Sequence, residues 1–78
     1  MKPYDHRAAG RVLRRLRLRS GLSQETLSGL AGLARSHLAM IENGKKDPSV
    51  DTLWRLADAL GLTSSELFRL VEEEIGGE

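Results

Sequence analysis

Seventy-eight residues suffice for one domain, with a core that is marginal unless its helices pack well or a second chain contributes. The chain has no cysteine, which excludes a disulfide framework and a thiolate metal site and fits a reducing cytoplasm; no uncharged run is long enough to span a bilayer. The net charge of +1 conceals a division: residues up to Lys46 sum to +7 and those from Asp47 onward to −6. A basic half suited to a polyanion thus precedes an acidic half expected to face away from it. The competing reading is that these charges only solvate helix faces.

In chain order, Met1 to His6 carry Pro3 and no apolar periodicity, and are expected to form a loose arm without the apolar core of a secretory signal. Arg7 to Arg19 reads as a first helix, with Ala9, Val12, Leu13 and Leu16 as one apolar stripe and arginines over the remaining surface. Ser20-Gly21 stops it. Ser23 suits the N-cap of a second helix, Gln24 to Ala31. Gly29 costs this helix about 1 kcal/mol against alanine, so it is expected to depend on packing through Leu27, Leu30 and Ala31.

Gly32 and Leu33 interrupt before a third helix, about Arg35 to Asn43, with Leu38 and Ile41 on one face. Ala34 stands at its N-cap and has no side-chain oxygen to offer. Ser49 caps a fourth helix, about Val50 to Leu60, apolar at Val50, Leu53, Leu56, Ala57 and Leu60. Thr63 and Glu66 have the spacing of a capping box for a fifth, about Ser64 to Glu74, and Ile75 to Glu78 are expected to fray as a flexible tail. No strand pattern is present, so the expected fold is all-α. The second and third helices, joined by a short turn, have the form of a helix-turn-helix, whose second helix can enter a DNA major groove.

These residues resemble the helix-turn-helix domain of phage repressor and Cro proteins, the XRE type. The likeness runs from Gly10 to Phe68. It comprises Gly10 with Leu13, Leu16 and Arg17, then Gly21-Leu22-Ser23-Gln24, and Leu27, Gly32 and Leu33. It continues through Leu38, Ile41-Glu42-Asn43-Gly44, Pro48-Ser49, Thr52-Leu53, Leu56-Ala57, Ala59-Leu60-Gly61 and Glu66-Leu67-Phe68. The resemblance implies a five-helix bundle that binds double-stranded DNA, usually as a two-fold dimer, and regulates transcription. The small size is similar to stand-alone regulators, including the controller proteins of restriction–modification systems. Ser28 replaces the family's usual alanine, and Ala34 its usual cap.

The resemblance also assigns roles. Arg35, Ser36 and Met40 align with the base-contacting face. Arg35 is the strongest candidate because a guanidinium pairs with guanine O6 and N7 together; its alternative is a phosphate contact. Met40 is expected either to touch a thymine methyl or to pack on its neighbours. Ser23 and Gln24 at a helix start, with His37, Asn43, Lys45, Lys46 and Arg17, are expected at the DNA backbone. Arg17 and Glu42 match an internal salt bridge. Leu67, Leu70, Val71 and Ile75 are expected at a homodimer contact, the alternative being the monomer's own core. Trp54 is assigned to the core or to that contact.

No metal or cofactor is expected, since His6 and His37 are the only histidines. An enzyme is poorly supported, and no membrane contact is expected. The alternative function is an antitoxin-like or other protein-interaction module whose acidic half meets a partner protein.

Overall fold

The computed structural model describes residues 2–78. Among them are five helices and no strand: α1 (His6–Arg19), α2 (Gln24–Ala31), α3 (Arg35–Glu42), α4 (Val50–Ala59) and α5 (Ser64–Gly76). Four of the five begin at a residue whose side chain caps them. Asp5 accepts the Arg7 N–H at 2.9 Å, Ser23 that of Thr26 at 3.0 Å, and Ser49 that of Thr52 at 3.0 Å. At α5 the capping box closes both ways, Glu66 N–H to Thr63 Oγ1 at 3.1 Å and Thr63 N–H to Glu66 Oε1 at 3.0 Å. Only α3 lacks a side-chain cap, because Ala34 occupies that position.

The turn between α2 and α3 needs glycine. Gly32 sits at φ +70°, and the next N–H, from Leu33, bonds back to the Ser28 carbonyl at 2.8 Å. Arg55 of α4 donates through Nη1 to the Ala31 and Gly32 carbonyls, each at 3.3 Å, and so covers the end of α2 from across the bundle.

α1 packs on α3 and α5, α2 on α3 and α4, and α4 on α5. Val12, Leu13, Leu27, Leu38, Ile41, Leu56 and Leu67 are wholly buried at the centre, each contributing roughly 1.5–3 kcal/mol. Gly10 lets α1 lie directly on the end of α3: a Cβ there would collide with the Ile41 carbonyl oxygen.

Several expectations are corrected. The expected arm begins at Met1, which lies outside the described residues, and ends inside α1, since Asp5 is the cap and His6 is helical. His6 Nε2 lies 3.0 Å from the Gly44 carbonyl, and the Lys2 ammonium donates to the Ile75 and Glu78 carbonyls at 3.3 and 2.7 Å. The first half of the expected tail, Ile75 and Gly76, belongs to α5, because Ile75 continues the buried stripe of Leu67 and Val71. Those three residues are buried in the monomer, while Val71 and Ile75, with Tyr4 and Phe68, also line an open apolar groove along α5; Leu70 is half-buried. Leu30, Val50 and Trp54, by contrast, are 63%, 71% and 61% exposed.

Candidate nucleic-acid interface

The buried side of α3 is Leu38, Ile41 and Glu42. With that side committed to the bundle, helical geometry turns Arg35, Ser36, Met40 and Asn43 outward, and all four are exposed. Met40 is 42% exposed, so part of its side chain is open to a ligand. His37 is half-buried at the edge, and Lys45 and Lys46 are exposed in the loop that follows.

Two sets of backbone donors adjoin this face. At α2, Ser23 takes the Thr26 N–H, leaving those of Gln24 and Glu25 without a helical acceptor. At α3, the uncapped start leaves those of Arg35 and Ser36. Helix starts of this kind favour anions through their partial positive charge. Glu25, exposed in the first turn of α2, opposes that effect locally.

Three helices meet behind these donors. Arg17 of α1 gives Nε to Glu42 Oε2 at 2.8 Å and Nη2 to Glu42 Oε1 at 2.9 Å, and its Nη1 reaches the Leu22 carbonyl at 3.0 Å. Gln24 of α2 adds a bond from Nε2 to Glu42 Oε1 at 3.0 Å. The hydrogen bonds that Arg17 donates to Glu42 hold it more firmly protonated than a free guanidinium. The Arg17 side chain is only 9% exposed, so its place is behind the surface rather than at a phosphate.

The charge pattern sharpens in three dimensions. Arg11 pairs with Glu74 and Glu78 of the acidic half, and Arg15 with Glu74. Arg7 pairs with Asp5, and Arg55 with Asp51. Among the described residues Lys2, Arg14, Arg19, Arg35, Lys45, Lys46 and, in the acidic half, Arg69 have no such acidic partner. The unpaired charge therefore includes all three cations of α3 and its following loop. The sequence reading missed both the α1–α5 pairs and the Gln24–Glu42 bond. The first had a partial signal: Arg11 and Arg15 are four residues apart and share a face of α1.

A helix-turn-helix family profile matches residues 13–67, from α1 into α5 and across this whole face. The chain belongs to that family. An HTH-type transcriptional regulator of Sinorhizobium fredii is 39% identical over 59 residues, 76% of this chain and 77% of its own length. The crystal structure of the restriction–modification controller protein C.AhdI from Aeromonas hydrophila is 44% identical, covers 82% of this chain and 97% of its own, and superposes with a TM-score of 0.78. The fold is shared, at 22% identity, with the controller protein C.Esp1396I, solved as a tetramer on its natural 35 base-pair operator. That structure has a TM-score of 0.85 and covers 95% of this chain and 97% of its own. This helix-turn-helix protein is a DNA-binding transcriptional regulator of the phage-repressor type, not an enzyme. Among the described residues no helix is long and apolar enough to cross a membrane, and no three His, Asp or Glu side chains cluster as a metal site.

Proposed function

We propose that the protein is a cytoplasmic regulator that reads a near-palindromic operator as a homodimer, with α3 in the major groove. The observation that carries this reading is the outward face of α3, where Arg35, Ser36 and Met40 stand exposed beside two unpaired lysines. Arg35 reads a guanine edge, Ser36 donates to a base or phosphate, and Met40 supplies apolar contact. Ser23, Gln24, His37, Asn43, Lys45 and Lys46 flank them against the phosphates. Arg17 supports that row from behind, through Glu42.

A second copy has a further apolar surface to cover, besides the α5 face first expected. Val50 and Trp54 are four residues apart on one face of α4, both largely exposed. Two large apolar side chains at a helix surface, on a chain with so small a core, support burial against another copy. A two-fold dimer sets its recognition helices about 34 Å apart, one turn of the duplex. The same stripe supports the alternative of a partner protein; a chain that stays monomeric at micromolar concentration in equilibrium ultracentrifugation favours that alternative.

The test compares affinities on operator variants. Arg35→Ala lowers discrimination at one base pair, by roughly 1–3 kcal/mol. Gln24→Ala weakens every duplex alike. Equal loss on all duplexes from Arg35→Ala contradicts base readout by that residue.

A further inference from the structure

Glu42 is a buried anion immediately behind a surface built for phosphates. Its side chain is 1% exposed at the last position of α3, and an unpaired carboxylate there would repel the polyanion in front of it. The Arg17 guanidinium offsets that charge, paired to the carboxylate through two hydrogen bonds. The third bond to the carboxylate, from Gln24 Nε2 to Oε1 at 3.0 Å, is not needed for neutrality. It acts instead on Gln24.

A glutamine amide presents donors at one end and an acceptor at the other. Facing a phosphate, which only accepts, one orientation binds and the other repels. An ionised carboxylate also only accepts, so Glu42 selects the orientation with the Gln24 nitrogen turned toward it. That nitrogen carries a second N–H, and no acceptor among the described residues takes it. It sits on the first residue of α2, beside the free backbone N–H groups of Gln24 and Glu25.

We propose that Glu42 is a positioning residue for the DNA backbone. Held by Arg17, its carboxylate fixes the Gln24 amide so that the remaining N–H and the start of α2 converge on one phosphate. Because Glu42 ends α3, the same bond sets the phosphate contact in register with the recognition helix. This inference rests on the DNA-binding reading above.

The test is a cycle of three variants. Arg17→Met/Glu42→Leu removes the ion pair without changing net charge, and apolar replacement of a buried pair is often tolerated. Gln24→Ala removes the amide, and the triple variant removes both. Affinity is measured for the selected operator and for an unrelated duplex at one salt concentration, with thermal melting to establish folding. The ion-pair variant and Gln24→Ala each weaken both duplexes by roughly tenfold, and the triple variant is no weaker than either. Losses that multiply in the triple variant, or an ion-pair variant that binds like the parent, overturn the proposal. Failure of the parent to bind any duplex removes the DNA-binding reading and the proposal with it.

A second measurement needs no substitution. In the parent chain the Gln24 side-chain amide shows one downfield, exchange-protected proton by NMR. An amide that averages freely between both orientations overturns the proposal.

Discussion

Arg17 and Glu42 lie side by side, joined by hydrogen bonds of 2.8 and 2.9 Å in surroundings nearly closed to water. They fasten the end of α3 to α1, just below the point where Gly10 brings the two helices into backbone contact. Replacing either partner alone strands a buried charge. Arg17→Ala and Glu42→Ala are each expected to cost about 3–5 kcal/mol, whereas Arg17→Met/Glu42→Leu stays within about 1–2 kcal/mol of the parent or exceeds it. Urea melts of the three variants check this.

The glycines give opposite signs. Gly29 lies within α2 with nothing near the position of a Cβ, so Gly29→Ala is expected to stabilise by about 0.5–1 kcal/mol. Gly10 also lies within a helix, yet its Cβ would strike the Ile41 carbonyl. Gly10→Ala is expected to destabilise by about 1–3 kcal/mol, as overpacking outweighs propensity. Thermal melting of the pair separates the two effects.

Acid should loosen the link between α1 and α5. Hydrogen bonds from Arg11 and Arg15 hold the Glu74 carboxyl below the ordinary carboxylate range. A depressed folded-state pKa contributes stability above the unfolded value and loses it as pH falls through the folded one. Glu74→Gln therefore melts below the parent at pH 7, and the difference shrinks as pH falls below the ordinary carboxylate range and disappears once pH is below the lowered folded-state value. A difference that persists in acid contradicts the ion-pair account.

Much of this was legible because the signals are local. Ser23, Ser49 and the Thr63–Glu66 pair mark helix starts by their own chemistry, and the capping bonds form there. Leu13, Leu27, Leu38 and Ile41 are buried as their spacing implies. What periodicity misjudged was which apolar residue lies at the edge of a stripe. Val50 belongs to the first turn of α4, beyond the reach of the core, and Leu30 lies on the flank of α2 beside buried Leu27. The chain ends were misread because their order comes from distant partners. Lys2 is held by carbonyls of Ile75 and Glu78, and Glu78 by Arg11. The Gln24–Glu42 bond spans eighteen positions and two helices, so no spacing rule points to it.

Trp54 offers a direct view of assembly. It is the sole tryptophan and is mostly exposed on the single chain. If Val50 and Trp54 meet a second copy, its fluorescence shifts to the blue as concentration rises through the dimer range. Trp54→Ser then weakens dimerisation while changing monomer stability by less than about 0.5 kcal/mol. An emission spectrum independent of concentration, in a sample that dimerises, places the contact elsewhere.

The measurement that bears most directly on the central claim is selection of bound duplexes from a random pool at fixed, near-physiological salt, followed by sequencing. Salt must be held constant because non-specific affinity depends steeply on it. The account predicts an enriched inverted repeat with half-sites about one helical turn apart, and Arg35→Ala should relax the preference at one position in each half-site. A folded protein that enriches no sequence would contradict sequence-specific reading by α3.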